Sequence, residues 1–361
     1  MRKNLFATTP GIIIVGAVIG LIAVWLQKLG NPANMGICVA CFERDVAGGL
    51  GLHRAAIVQY LRPEIMGLVL GSLAAAIATR EFKPRGGSAP IVRFVLGMVA
   101  AVGALVFLGC PWRTILRLAG GDGNAILGLA GLATGIWFGT LFFKKGYSLG
   151  RSNSQTVVSR ALFPVIAVCL LLLYLIFPQI PDQPQSGPLF YSVKGPGSQH
   201  APFIASLGLA FIIGIFAQRS RFCTMGAFRD LFLFRYTHLF LGLAAMFAAA
   251  FIANALTGGL KFGFEGQPVA HSDFLWNYLG MVTAGLAFAL AGGCPGRQLF
   301  MAGEGDSDAG IFALGMLVGA AMAHNLGTAS SGTGIGVYGM QATILGFAVC
   351  LIIGFVHSKK A

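Results

Sequence analysis

The sequence predicts an all-α polytopic membrane protein, with about ten spans and four re-entrant half-helix segments forming two inverted repeats around an hourglass-shaped interior. Three observations carry that expectation. The 361 residues are 56% hydrophobic and 10% charged, against about 25% charged in soluble domains. Apolar runs long enough to cross a bilayer recur along the chain. Finally, two cysteine-centred motifs occur twice, in the same order and at nearly the same separation.

Gly109-Cys110-Pro111-Trp112-Arg113 recurs as Gly293-Cys294-Pro295-Gly296-Arg297. Each copy is followed by a Gly-Asp pair whose aspartate, Asp122 or Asp306, lies 12 residues after the cysteine. Upstream, the stretch from Cys38 through Cys41 and Phe42 to Arg44-Asp45 matches the stretch from Cys223 through Gly226 and Phe228 to Arg229-Asp230. The aspartate is 7 residues after the first cysteine in both. The two motifs stand 72 residues apart in the first copy and 71 in the second.

The first unit, residues 1–143, holds apolar spans at about 10–29, 62–79, 91–109 and 125–143, with the Cys38 and Cys110 segments between them. Arg2-Lys3 followed by an apolar run has the look of a signal peptide. The run reaches Leu29 without a small-residue cleavage site, so a retained helix is expected. A linker at 144–200 carries one span at 161–178 and a nearly uncharged loop at 179–200. The second unit, 201–328, repeats the first with spans at 201–218, 238–258, 273–293 and 309–328, and residues 329–361 add a last span at 335–356. Pro10, Pro63, Pro90 and Pro202 sit at span starts, where proline is tolerated. The spacings Gly16/Gly20, Gly67/Gly71, Gly131/Gly135/Gly139 and Gly315/Gly319 allow helix backbones to approach closely in lipid.

The net charge of +13 reads as membrane topology, not nucleic-acid binding. With both termini cytoplasmic, 17 of the 25 Lys and Arg fall inside and 8 outside, as the positive-inside rule requires. The first span then lies five spans before its counterpart at 201–218. Five is odd, so the units are inverted, a recurring transporter plan with the site at the repeat interface. The Cys38 and Cys110 segments enter from outside and the Cys223 and Cys294 segments from inside. Apolar and short, they are expected to dip toward the midplane, where irregular backbone is tolerated if it lines a cavity.

Proline after Cys110 and Cys294 places each cysteine at a helix N-terminus, which favours anions. The glycine before each removes bulk, so that backbone N–H groups can approach a small solute. Sulfur atoms beside such helix ends suit a small, soft sulfur- or selenium-bearing anion. Four cysteines spread along an axis do not suit zinc, and no metal or cofactor is expected. Cys38, Cys110, Cys223 and Cys294 are therefore the candidate relay, while Cys169 and Cys350, in plain apolar runs, are expected to be small buried hydrophobes. Cys41 forms a CxxC with Cys38 but aligns with Gly226, so it is either a redox partner or a packing group.

Arg113 and Arg297 share a helix face with their cysteines and either draw anions inward or cap and snorkel. Arg44/Asp45 and Arg229/Asp230 are read as structural polar residues. Neighbours on a helix point in different directions, so each is expected to pair elsewhere. Asp122 and Asp306 look like turn or cap residues, His53 and His324 like hydrogen-bonded contacts, and Asn254 and Asn325 like interhelical links.

Cys38 with Phe42-Glu43-Arg44-Asp45, Cys223 with Ala227-Phe228-Arg229-Asp230, Gly109-Cys110-Pro111 and Gly292-Gly293-Cys294 resemble the YeeE/YedE family of bacterial inner-membrane sulfur-transport proteins, over nearly the whole chain. Residues 31–36 and 50–56 look more like the YedE-related branch linked to selenium metabolism. The resemblance implies an hourglass fold and passage of thiosulfate by transient S–H···S contacts. Carried over, Cys110 and Cys294 match the Gly-Cys motifs, Cys38 the outward-facing cysteine and Cys223 the Cys-x-x-x-Ala-Phe-Arg-Asp motif. Cys41 departs from the pattern. The expectation is a non-enzymatic transporter in the bacterial inner membrane, with a cytosolic sulfur or selenium carrier docking on the basic segment 219–237. A membrane thiol-disulfide oxidoreductase using Cys38 and Cys41 is the alternative. No ATP motif appears, and energy coupling is unread.

Overall fold

The computed structural model describes residues 5–359, so Arg2, Lys3 and Lys360, which enter the charge count, lie outside the described residues. Its helices run in chain order as α1 (Thr9–Lys28), α2 (Val39–Gly49), α3 (Pro63–Ala78), α4 (Pro90–Phe107), α5 (Pro111–Ala119), α6 (Asn124–Lys144) and α7 (Val157–Ile176). They continue as α8 (Phe203–Ser220), α9 (Thr224–Phe234), α10 (His238–Leu256), α11 (Phe274–Ala291), α12 (Pro295–Gly303), α13 (Ser307–Asn325) and α14 (Gly339–Val356). The only sheets among the described residues are two two-stranded pieces in loops.

Eight helical stretches of the described residues are long and apolar enough to cross a membrane. The expected spans at 62–79 and 161–178 are the shorter apolar helices Pro63–Ala78 and Ala161–Ile176. The chain is an all-α multi-pass membrane protein. Proline stands in the first turn of α1, α3 and α4. Pro202 falls one residue earlier than expected, at the N-cap of α8.

Four helices are short. Both α2 and α9 have 11 residues, and α5 and α12 have 9. These are the cysteine segments, and each begins among buried residues inside the protein. A helix that begins in the protein interior leaves its first N–H groups and last carbonyls without intrahelical partners. The C-terminal ends of α5 and α12 are met by loops from the other half of the chain. Lys261 N–H donates to the Gly120 carbonyl at 2.9 Å and Gly263 N–H to that of Gly121 at 3.1 Å. In the same manner Lys83 N–H donates to the Glu304 carbonyl at 3.0 Å and Arg85 N–H to that of Gly305 at 3.3 Å.

The long helices also pair across the halves. Helix α1 packs on α10 and α8 on α3, while α6 packs on α11 and α13 on α4. The glycine spacings explain these pairings. Gly16 and Gly20 lie against the α10 backbone, Gly67 and Gly71 against α8, Gly131 and Gly135 against α11, and Gly315 and Gly319 against α4. Without strong hydrophobic driving force in lipid, such close approach supplies dispersion contact. At the centre α4 crosses α11 where Gly103 and Gly280 each face the other's carbonyl.

A side chain at Gly71 would run into the backbone of Phe211, whereas one at Gly208 on α8 meets nothing within 4 Å. Gly71→Val is therefore expected to cost about 1–3 kcal/mol by overpacking, seen as a lower thermal midpoint of the solubilised protein than that of Gly208→Val. Equal midpoints would contradict the packing account.

Candidate functional site

Each repeated cysteine is the N-cap of a short helix: Cys38 of α2, Cys110 of α5, Cys223 of α9 and Cys294 of α12. The cause is local. Pro111 and Pro295 occupy the first turn, where a missing N–H costs nothing. Cys38 and Cys223 have no proline after them and cap with sulfur instead. Cys41 N–H donates to Cys38 Sγ at 3.4 Å and Gly226 N–H to Cys223 Sγ at 3.2 Å. All four thiols are buried and free.

Packing sorts them into two sets. Cys223 Sγ and Cys294 Sγ lie 3.9 Å apart. On the other side, Cys38 is in side-chain contact with both Cys110 and Cys41. The sets are bridged by Trp112, which follows Cys110-Pro111 but packs against Phe222, Phe300 and Gly296 of the second half.

Arg113 is fully buried and spends its guanidinium on carbonyls. Nε donates to Asn34 O at 3.3 Å, and Nη2 to Pro268 O at 3.2 Å and Val269 O at 3.1 Å. Nη1 donates to Leu108 O and, at 3.5 Å, to Cys41 Sγ. Among the described residues none of these contacts is a carboxylate, so the guanidinium stands without a counter-charge beside the first thiol set while its donors are occupied. It can act on an anion through its field. Arg297 differs. Its Nη1 lies 3.4 Å from Glu304, a buried carboxylate also reached by Arg221 at 2.6 Å and Arg85 at 3.8 Å.

Two expectations about these residues change. The space left by the glycine before each cysteine is taken by its own arginine: a Cβ at Gly109 would sit 3.3 Å from Arg113 Cδ, and one at Gly293 3.2 Å from Arg297 Cγ. Side chains in a helix lean toward its N-terminus, so an arginine three residues on folds back beneath the cysteine. The glycine thus admits a side chain and is not left open to a solute.

The second change concerns the Arg-Asp neighbours, which pair with each other. Arg44 Nε and Nη2 lie 2.9 and 2.7 Å from Asp45 Oδ1, and Arg229 Nε and Nη2 2.9 and 2.8 Å from Asp230 Oδ1. The long arginine stem curls back to the adjacent carboxylate, overcoming the divergence of successive positions. Asp45 also takes Arg62 Nε at 2.7 Å, and Arg62 donates onward to Gln199 O and Pro196 O. This buried triad ties the end of α2 to the loop at 179–200, which folds back over it.

Cys350 is buried as expected, but Cys169 is exposed on the outer face of α7. Asp306 caps α13 by accepting from Ala309 N–H at 3.1 Å, and Asp122 accepts from Asn124 N–H at 2.9 Å and Arg117 Nε at 2.6 Å. Asn254 links to Ala119 O and Asn325 to Leu52 O. His53 contacts Arg44 O at 3.0 Å and packs 4.5 Å from the His324 ring. Trp112 and Glu43, both buried, were not singled out by sequence reasoning. The signal for Trp112 was present: it is the one position at which the two Gly-Cys-Pro-x-Arg copies differ.

Residues 219–355 match the family model described as sulphur transport, a stretch that includes Cys223 and Cys294. Among curated proteins, the thiosulfate transporter TsuA of Spirochaeta thermophila is 32% identical over 106 residues. That alignment covers 29% of this chain and 32% of TsuA, about a third of the relative's length.

Removing Asp45 leaves two fully buried guanidiniums without a counter-charge. Asp45→Asn is expected to destabilise by about 3–5 kcal/mol. Asp230→Asn, whose partner Arg229 is 36% exposed, is expected to cost at most about 1 kcal/mol. Thermal midpoints of the two variants give the comparison, and an equal loss would refute the assignment of Asp45 as the structural centre.

Proposed function

We propose, from the match of residues 219–355 to the sulphur-transport family model, that the chain is a transporter of that kind, which takes up a small sulfur- or selenium-containing anion and hands it along cysteine thiols. The observation that carries this reading is the gathering of the four repeated cysteines into two buried sets, every one at a helix N-cap. TsuA is by name a thiosulfate transporter, so thiosulfate is the first substrate to test, and a selenium congener of like charge and shape is the second.

The proposed path enters at Cys38, passes Cys110, then Cys294, and leaves by Cys223. Helix N-termini favour the negative charge, and the uncompensated Arg113 adds to that field. Each thiol is a weak donor, able to touch the terminal sulfur of the anion. A series of weak, similar sites lets a solute enter without being trapped. Cys41 has its sulfur in contact with Arg113 at 3.5 Å, which assigns it the positioning of that arginine in this reading.

The proposal includes the inverted arrangement of units 1–143 and 201–328, joined by 144–200 and followed by 329–361. Its support is the exchange of packing partners and loop contacts between counterpart helices. Both termini are placed in the cytoplasm of a bacterial inner membrane, on the balance of loop charge. A sulfur or selenium carrier protein would then meet the basic segment at 219–237, which holds Arg219, Arg221, Arg229 and Arg235.

Labelled thiosulfate and its selenium congener, supplied to proteoliposomes, test the reading. Cys110→Ala and Cys294→Ala are each expected to lower uptake about tenfold or more, the scale of roughly 1.4 kcal/mol in a barrier. Cys350→Ala, which removes a packing thiol on α14, is expected to leave uptake unchanged. Undiminished uptake of both anions by both site variants would remove the reading.

A further inference from the structure

The transport path as proposed leaves one gap, between Cys110 and the second thiol set, and that gap is filled by Trp112. The side chain is 1% exposed and heads the fully buried side chains by size. It starts at the second residue of α5, yet its ring packs edge-on to Phe222 at 5.8 Å, immediately before Cys223, and lies 5.9 Å from Phe300 of α12. Its counterpart in the repeated motif is Gly296. A Cβ there would lie 3.2 Å from Cζ2, 3.4 Å from Cε2 and 3.5 Å from Cη2 of the indole. The two copies of the motif therefore meet as ring against missing side chain. One supplies the bulk and the other the room for it.

The indole carries a second feature. Nε1–H is buried and has no hydrogen-bond acceptor among the described residues. A buried tryptophan N–H normally finds a partner, and an unsatisfied donor costs free energy. Nε1 is bonded to Cε2, one of the atoms nearest Gly296, so the donor sits near the N-terminal turn of α12, the helix that Cys294 caps.

Resting on the transport reading above, we propose that Trp112 seals the waist between the two thiol sets and that its indole N–H is the donor an oxyanion meets as it crosses. The ring blocks passage while the site is unliganded. An anion leaving Cys110 exchanges a thiol contact for the indole N–H and the first N–H groups of α12, and the ring must turn aside from Gly296 to let it by. Seal and donor are one side chain, which links opening to recognition of a hydrogen-bond acceptor.

Proteoliposomes carrying the full-length protein test both parts, with labelled sulfate to report leak and labelled thiosulfate to report transport. Trp112→Ala is expected to raise sulfate flux about tenfold and to erase the preference for thiosulfate over sulfate. Trp112→Phe keeps a ring but not the donor. It is expected to stay tight to sulfate while KM for thiosulfate rises about tenfold. Gly296→Ala wedges a methyl against the indole and is expected to cut thiosulfate uptake about tenfold, with recovery in the Trp112→Phe/Gly296→Ala double variant. Sulfate flux unchanged in Trp112→Ala, or unimpaired uptake in Gly296→Ala, would overturn the seal. An unchanged KM in Trp112→Phe would overturn the donor. Failure of the transport reading shows separately, as uptake independent of Cys110, and leaves the sulfate arm standing.

Discussion

A helix that starts in the protein interior finds no water for its first N–H groups, and that constraint governs this fold. Four short helices begin inside the protein, so their first N–H groups must face protein atoms or a solute. Sulfur caps two of them, at Cys38 and Cys223, and proline removes one donor from each of the others. The far ends of α5 and α12 are held by loops from the opposite half of the chain. Those loops reach their positions only because α3 packs on α8 and α10 on α1, and those pairings depend in turn on glycine-lined helix faces. The thiols are thus held in place by the packing of the whole bundle.

The two halves are alike in backbone plan and unlike in electrostatics. Around α2, Arg44, Asp45 and Arg62 form a buried triad, whereas Arg229 and Asp230 on α9 are partly exposed. Arg113 keeps an uncompensated charge among carbonyls, whereas Arg297 shares Glu304 with two other arginines. Cys41 stands where the other half has Gly226, and Trp112 where it has Gly296. A transported anion would meet a fixed positive field at one thiol set and a neutralised cluster near the other. On the proposed path, that asymmetry would set a direction in charge.

Much of this was legible in the chain. Apolar length located the long helices to within a few residues, because a bilayer asks for about 20 apolar residues of a crossing helix, while two of the ten expected spans are shorter helices. Proline after Cys110 and Cys294 marked the starts of α5 and α12, and glycine spacing marked the faces that pack. Side-chain direction was less legible. Helical geometry alone says that Arg44 and Asp45 diverge, but a flexible four-atom stem reaches its neighbour, and the carboxylate then recruits Arg62 from a loop 17 residues on. Likewise Gly109 reads as open space until Arg113 is seen to fold into it. Trp112 is not legible from what the two copies of the motif share, because its contact with Gly296 arises at the position where they differ.

The central claim is that thiols at half-helix N-caps receive the anion. A structure determined with thiosulfate bound tests it most directly. The account predicts the anion's terminal sulfur in contact with Cys38 and Cys110, within the field of Arg113, or past Trp112 against Cys294 and Cys223. Thiosulfate held only by the arginines around Glu304, with every cysteine out of contact, would contradict it.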